Sequence, residues 1–508
     1  MATESLETER KYEAGTDTVL PSLNGLPQVD SVSVATEFRL IADYLDTSGL
    51  ALLRAGITLR RRKGGDDDGW HLKLPVGRDT RIELHRPLGR SAAVPAELSR
   101  LVRAYSRGET LRTVARITTL RRQLDLLDAA GQPVAHIADD EVTAESLPAV
   151  SGEAAQRWRE VEVELAGDGG RALLSAAGTR LLEAGLRRSA SSAKLERALG
   201  DRLPARREAP HLTWHSPAAD VLATYLRAQL GTLQAADPAV RRDQPDAVHQ
   251  MRVTARRLRA ALQVYGPVIG PVLTTAAAAS LRAELRWLGQ VLGAARDGEV
   301  LSGRIGAQLA DLPPELVLGA AASVVTEHLA PRHAAARRAA IRALDSARYL
   351  SLLAALDDML DAVGAAAGTA AALRDPVAHS YRRLRKRIRR AAELDPGPDR
   401  DAALHEARKA AKRARYAIGV LEPVAGQPAR KLARRLKKIQ SVLGDHQDTV
   451  VSRAALRDLA IAAAAAGDSA FTFGLLYERD AGAALALQRR TWKSWHRASR
   501  RQYRRWLR

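Results

Sequence analysis

The chain has 508 residues, no cysteine, 79 Lys+Arg against 58 Asp+Glu, and a formal net charge of +21. That length provides for two or more domains with ample core, and the missing thiols exclude disulfides, thiolate metal sites and cysteine nucleophiles. The charge is uneven: residues 1–205 hold 29 Lys+Arg against 30 Asp+Glu, and residues 206–508 hold 50 against 28, so the whole excess sits in the second part and points to a polyanion partner there.

Residues 1–200 read mainly as strands. Short runs cover 36–44, 56–63, 70–74, 80–88, 123–127, 134–137 and 158–165, with turn signals such as Gly64-Gly65-Asp66-Asp67-Asp68-Gly69 between them. Residues 172–199 read as helical. Alternate side chains on a strand share a face. Glu7, Glu9 and Lys11 are so grouped, as are Arg60 and Arg62, Arg81, Glu83 and His85, and Glu160, Glu162 and Glu164. Lys73 lies opposite Trp70, Leu72 and Leu74. Each strand alone is compatible with charges facing water. As a set, several strands carry clusters of one sign on one face. If the sheet closes with those faces inward, the interior is a polar tunnel. Its carboxylates would collect Mg²⁺ or Mn²⁺, and its Arg and Lys residues would hold phosphate oxygens. Unpaired like charges inside a barrel are costly, so metal and phosphate would belong to the design. This predicts phosphoryl transfer or hydrolysis of a linear phosphate chain.

Pro204, Pro210 and Pro217 mark a linker over 204–217. From about 218 the chain is Ala/Leu/Arg-rich with helical spacing, broken near Gly266-Pro267, Leu312-Pro313-Pro314 and Asp395-Pro396-Gly397-Pro398. Ala247-Val248-His249-Gln250-Met251-Arg252 is echoed by Ala403-Leu404-His405-Glu406-Ala407-Arg408. His249, Arg252, Arg256 and Arg259 fall at i, i+3, i+7 and i+10, and His405, Arg408, Lys412 and Arg415 repeat the spacing. At about 3.6 residues per turn each quartet lies along one helix face. Two such stripes describe a surface for something large and negative. A second echo, Val291-Leu292-Gly293 with Asp297 and Val442-Leu443-Gly444 with Asp448, supports an internal duplication. Either aspartate could orient a neighbouring cation or start a helix.

No apolar stretch is long enough for a membrane span, and the first residues lack a basic region followed by an apolar one. A cytoplasmic protein is expected.

The strand motifs resemble the CYTH family, the triphosphate tunnel metalloenzymes, over about residues 4–200. Glu7-Thr8-Glu9-Arg10-Lys11 resembles its ExExK signature, Tyr44-Leu45-Asp46-Thr47 its YxDT strand, Leu59-Arg60-Arg61-Arg62 its LRxR strand, and Trp70-His71-Leu72-Lys73 its lysine-bearing strand. Arg81-Ile82-Glu83, Glu160-Val161-Glu162-Val163-Glu164 and Ser192-Ala193-Lys194-Leu195 follow in order. The resemblance implies an α+β chain of two domains, the first (1–203) an antiparallel β-barrel tunnel with flanking helices. It implies that Glu7, Glu9, Glu160 and Glu162 bind Mg²⁺ or Mn²⁺, with Glu83 and Asp139, or its neighbour Asp140, assisting. Lys11, Arg60, Arg62, Lys73, Arg81, Arg121 and Lys194 would hold triphosphate; Arg116, Arg121 and Arg122 compete for one of these places. Glu7, Glu9, Lys11, Glu160 and Glu162 would form the catalytic set.

The paired histidine helices, with Ser346-Ala347-Arg348-Tyr349-Leu350 between them, resemble the CHAD family of conserved-histidine α-helical domains over about 215–505. This implies an all-α duplicated bundle at 218–508 that binds inorganic polyphosphate, in association with polyphosphate granules. The expected ligands are His249, Arg252, Arg256, Arg259, His405, Arg408, Lys412 and Arg415, with Arg382, Arg385, Lys386 and Arg389 on a third basic helix behind them. The expected function is metal-dependent hydrolysis of inorganic triphosphate coupled to polyphosphate binding. The alternatives are a non-catalytic polyphosphate scaffold, or a tunnel acting on thiamine or nucleoside triphosphates, adenylate cyclase included. Nucleic acid competes for the basic half. Aromatics are only 4% of the chain, so stacking platforms are scarce, but Trp492, Trp495, Tyr503 and Trp506 cluster at a basic end.

Overall fold

The computed structural model describes residues 3–77, 79–148, 155–203, 210–270 and 273–507. They form two compact units, Met1–Arg207 and Glu208–Arg508. The boundary falls within the expected linker, of which residues 204–209 lie outside the described residues.

The first unit is built on β1 (Thr3–Ala14), β2 (Ser31–Val32), β3 (Thr36–Asp46), β4 (Thr58–Lys63), β5 (Gly69–Pro75), β6 (Thr80–Pro87), β7 (Arg112–Leu127), β8 (Pro133–Ser146), β9 (Gln156–Leu165) and β10 (Arg187–Arg188). The order β1-β6-β5-β4-β3-β7-β8-β9 returns to β1, because β9 also pairs with β1. The result is a closed antiparallel barrel of eight strands. Closure turns on β1: its first half, Thr3–Thr8, pairs with β6 and its second half, Glu9–Ala14, with β9.

Along most of its wall this barrel is inside out. Leu59, Trp70, Leu72 and Leu84 point outward and are covered by α1 (Ala51–Arg54), α2 (Ala96–Leu101) and α3 (Arg103–Ser106) through Leu52, Leu98 and Leu101. Tyr12, Leu126, Ile137, Val161 and Val163 are covered by α4 (Arg171–Glu183) through Leu173, Leu174, Ala177 and Leu181. Burial of these outer faces supplies the driving force for folding. One end of the interior is apolar. There Ala42, Tyr44, Ile117, Val142 and Ala144 pack on Leu195, Ala198 and Leu199 of α5 (Lys194–Leu199). The helix expected over 172–199 is thus two. Gly185, at φ +89°, turns the chain after α4 into β10, which pairs with β1. Strands β7 and β8 also run well beyond the expected 123–127 and 134–137.

The second unit is helical: α6 (Ala218–Arg241), α7 (Ala247–Val264), α8 (Gly266–Ile269), α9 (Thr275–Ala310), α10 (Ala321–Asp345), α11 (Ala347–Val363), α12 (Arg374–Ala392), α13 (Pro398–Val420), α14 (Glu422–Ala425), α15 (Gln427–Ala465) and α16 (Phe471–Ala498), closed by a 3₁₀ segment, Arg501–Leu507. The duplication is visible in the helix order. In α6–α10 and again in α12–α16, two helices are followed by a single turn, a very long helix and a long helix. In each half the first helix packs on the second, the second on the very long one, and that on the last. The halves meet where α7 packs on α13. Ser346 begins α11, its hydroxyl accepting from the Tyr349 amide, and the Tyr349 ring is fully buried. No helix among the described residues is long and apolar enough to cross a membrane.

Candidate functional site

Strand register decides what the barrel interior is. Lys73 sits beside Glu83, Arg81 beside Glu7, Lys11 beside Glu162 and Arg121 beside Asp140 on adjacent strands. Opposite charges therefore alternate around much of the wall, as cross-strand stability favours. The alternation breaks around β9, where Asp140 lies beside Glu160 and Glu9 beside Glu164, carboxylates side by side. At the first of these pairs α5 supplies the cation. Lys194 Nζ lies 2.8 Å from Asp140 Oδ2, 2.8 Å from Glu160 Oε1 and 2.7 Å from Glu162 Oε1.

The lumen holds a cavity of about 250 Å³. Lys73 reaches Glu7 at 2.5 Å, Lys11 reaches Glu9 at 2.9 Å and also pairs with Glu162, and Arg81 lies 3.4 Å from Glu9. Arg121 grips Asp140 with both prongs of its guanidinium, at 2.8 and 2.7 Å, and extends to Glu162 at 3.0 Å. Burial alone would raise the Glu9 pKa, but Lys11 chiefly, with Lys73 and Arg81, holds it down to about 2. Burial would likewise strip the proton from Lys11, yet Glu162 and Glu9 outweigh it and raise its pKa. Asp140 is lowered against burial by Lys194 and Arg121. Glu164 goes the other way. Burial and the nearby Glu7 push it up to about 7.

The basic wall is less compensated. Arg60 donates to the Tyr44 hydroxyl at 3.3 Å, and among the described residues no carboxylate lies within ion-pair distance of it. Arg62 pairs with Asp67 of the loop over 64–68. Burial first, then Arg60 and Arg121, pulls the Arg62 pKa down to about 9, a sign of cations crowded together. Burial likewise drives His71 down to about 3, although its Nδ1 lies 2.8 Å from Glu83.

The carboxylate side fits a metal ion. Ligand oxygens of Asp140, Glu160 and Glu162 lie within 4.8 Å of one another, and the Lys194 ammonium among them shows that the trio can hold a cation. Glu7 Oε2 is buried without a hydrogen-bond partner. All are hard oxygen donors, the set that Mg²⁺ and Mn²⁺ take.

In the helical unit, Arg252, Arg256 and Arg259 of α7 face His405, Arg408 and Lys412 of α13 across a cavity of about 320 Å³. Lys409, Arg413 and Tyr416 complete it. Arg252 is steadied by Asp297 at 2.7 Å and His405 by Gln447 at 2.5 Å. Burial, then Arg408, Arg256 and Arg252, forces the Lys412 pKa down to about 6. A lysine so held is short of anions.

The CYTH domain family matches residues 5–198 and the CHAD domain family residues 224–457. The uncharacterized protein Rv2226 of Mycobacterium tuberculosis is 41% identical over 490 residues, covering 94% of this chain and 93% of the relative. The chain belongs to the CYTH–CHAD family. Among solved structures, PptA from Streptomyces chartreusis is 25% identical, with a TM-score of 0.45, over 55% of this chain and 100% of its own. The CHAD domain from the plant Ricinus communis is 29% identical, with a TM-score of 0.39, over 60% of this chain and 96% of its own.

In this CYTH–CHAD chain the barrel brings Glu7, Glu9, Lys11, Arg60, Arg62, Lys73, Arg81, Glu83, Arg121, Glu160, Glu162 and Lys194 into or against one lumen. Asp139 is a correction. It faces the outside, gripped by Arg159 at 2.8 and 2.9 Å, and Asp140 takes the inner place. Strand parity likewise puts Arg122 outside with Asp139, and Arg116 pairs with Asp43 at the surface. Two helical candidates are also displaced. His249 is half-buried near Asp246 and Arg296 and does not line the cavity, and Arg415 lies over the ring of Tyr416 at 4.7 Å. Arg382, Arg385, Lys386 and Arg389 lie on other surfaces of the CHAD unit. The CYTH unit adds Tyr44, His71 and Trp158, whose indole donates to Glu160 at 2.7 Å. Strand alternation from Lys73 and Glu160 could have flagged His71 and Trp158, whereas Tyr44 is placed by the β3–β4 register that sets it beside Arg60. Lys409 and Arg413, at i+4 and i+8 from His405, share its helix face and widen the stripe read from i, i+3 and i+7 alone.

Proposed function

We propose that the barrel hydrolyses a linear triphosphate, inorganic triphosphate foremost, and that the cavity between α7 and α13 binds inorganic polyphosphate. The observation that carries this reading is the division of the lumen. Arg60 and Arg62 form a crowded cationic wall across from the convergent carboxylates Asp140, Glu160 and Glu162. An anion with many oxygens relieves the first, and a divalent cation satisfies the second.

Arg60, Arg62 and Arg121 would align the phosphate chain through planar, forked contacts. Lys11, Lys73 and Lys194, now held by carboxylates, are the cations that incoming phosphate oxygens recruit. Held by Asp140, Glu160 and Glu162, with Glu7 and Glu9 as further ligands, Mg²⁺ or Mn²⁺ would neutralise phosphate charge and ease ionisation of water. Preorganised cations around the transferred group supply most of the stabilisation in such reactions. In the helical unit, Arg252, Arg256, Arg408 and Lys412 offer the same chemistry without a carboxylate cluster, which favours retention over cleavage. A cytoplasmic location goes with this reading.

The test is phosphate release from inorganic triphosphate, with and without Mg²⁺ or Mn²⁺, beside ATP and long-chain polyphosphate, for the wild type and Glu9→Ala. Release that needs both metal and Glu9 and favours triphosphate is expected. No release, with polyphosphate binding intact, would leave a binding protein; preference for ATP would move the reading to a nucleotide enzyme.

A further inference from the structure

We propose that the outer face of α12 and the 3₁₀ segment Arg501–Leu507 form a second anion track that carries a long phosphate chain onward from the cavity between α7 and α13. This rests on the reading that the cavity takes inorganic polyphosphate.

Helix α12 buries a single stripe, Val377, Tyr381, Leu384, Ile388 and Ala391. The rest of its surface is almost wholly cationic. Arg382, Lys386, Arg389 and Arg390 border a groove of about 620 Å³. Arg382 also borders a smaller recess, about 200 Å³, shared with Arg385, Arg501, Arg504 and Arg505. Among the described residues only Arg389 in this set has a carboxylate partner, Glu393 at 3.6 Å. Like charges three and four apart on a helix repel, so α12 carries an electrostatic cost that Glu393, paired with Arg389, offsets only at one end.

The track adjoins the cavity through Arg383 and Arg387, which also border the α12 groove. Helix α12 packs along α13, and its Arg383 and Arg387 stand close enough to Arg413, a cavity residue, to depress its pKa behind the effect of burial. A chain leaving past Arg413 would next meet α12 and then the 3₁₀ segment.

The aromatic residues here decide the kind of partner. Tyr381 stacks on Trp495 at 5.9 Å, Trp214 meets Trp506 at 6.4 Å, and the Tyr503 hydroxyl accepts from Arg435 at 3.0 Å. Trp506 and Tyr503 tie the 3₁₀ segment to the bundle, and Tyr381 ties α12 to α16. Engaged with one another or with arginine, these buried and half-buried rings offer bases fewer free faces to stack on. What faces outward is guanidinium and ammonium, suited to phosphate oxygens. An inorganic chain fits that surface better than a nucleic acid.

The experiment uses the full chain and the triple variant Arg382→Gln, Lys386→Gln, Arg390→Gln, with all three sites exposed and helix propensity kept. Affinity is read against salt for polyphosphates of about ten and about a hundred phosphates and for duplex DNA, each lost phosphate contact flattening the log–log salt slope by about 0.7. The expected result is at least a tenfold loss on the long chain, a slope flatter by about two units, and no change on the short chain. Equal loss on both chains, or no loss on the long one, would overturn the track. A loss confined to DNA would also overturn it, in favour of a nucleic-acid face. Arg256→Gln, inside the cavity, is expected to weaken both chains. If the wild type binds neither chain, the cavity reading itself fails, a different result from failure of the track.

Discussion

Arg252 of α7 and Arg408 of α13 are laid against equivalent glycines, Gly293 of α9 and Gly444 of α15. A Cβ on either glycine would stand 3.4 Å from the guanidinium. The two Val-Leu-Gly echoes thus have a shared physical reason: the long helix lets an arginine pass flat across it and into the cavity. Mid-helix glycine costs about 1 kcal/mol relative to alanine, and a side chain larger than a methyl at either place would meet the arginine's path.

From this, Gly444→Ala should be tolerated, its methyl meeting the guanidinium at ordinary contact distance. Gly444→Val should push Arg408 aside, weaken polyphosphate binding about tenfold, and leave triphosphate hydrolysis unchanged. Titration and phosphate release on the same preparations check this. Equal behaviour of the two variants would show that the glycine does not set the arginine's path.

Lys412 should couple binding to protons. Its pKa in the folded protein is about 6 against an ordinary 10.5. Between those values the unfolded chain binds more protons, so this group's contribution to stability rises with pH. Lys412→Met should therefore raise the melting temperature at pH 7, with the gain shrinking toward pH 10, while polyphosphate binding weakens. A bound polyanion favours the ammonium, so wild-type binding should take up a proton and weaken as pH rises above 6. Calorimetry in buffers of different ionisation enthalpy measures the uptake, which the variant should lack.

Asp139 and Asp140, adjacent in sequence, should behave oppositely. Asp140→Asn leaves Arg121 and Lys194 short of a buried partner, a change that costs about 3–5 kcal/mol in comparable ion pairs. It should cut triphosphate hydrolysis by at least about a hundredfold. Asp139→Asn, on the outer face with Arg159, should keep hydrolysis within about twofold. Thermal melts and phosphate release separate folding from chemistry.

Chelation should split the two activities. EDTA is expected to stop phosphate release and leave polyphosphate binding intact, because the helical cavity is lined by cations rather than metal-binding carboxylates. Restoration by Mg²⁺ or Mn²⁺ completes the test. Loss of polyphosphate binding with the metal would assign the ion to the helical unit as well.

Much of the barrel was legible because its outer wall alternates. Trp70, Leu72 and Leu74 announce β5, and Val161 and Val163 announce β9. Strands β7 and β8 are legible only in part, since residues 118–122 and 139–141 lack apolar alternation: their inner face lines a charged lumen, and their outer face carries Arg122, Asp139 and Glu141 with a single exposed Leu120. The choice of Asp140 needed the register that sets it beside Arg121 and Glu160. In the helical unit the two stripes are used differently: α7 lines the cavity with Arg252, Arg256 and Arg259 and leaves His249 out, whereas α13 uses His405, Arg408 and Lys412 and turns Arg415 onto the ring of Tyr416.

The strand that closes the barrel also governs when a lumen can exist. Lys11 and Glu162, joined across the β1–β9 seam, are separated by 151 residues. Pairings of such long range are entropically late. Until β9 arrives, β1 carries an open edge and the carboxylates of the future lumen face water. The pairing of Lys11 with Glu162, and the pKa shifts it sets, therefore arise with closure. Weakening the seam would split the lumen into two charged half-walls, Lys73 still on Glu7 and Arg121 still on Asp140, with no enclosed space between them.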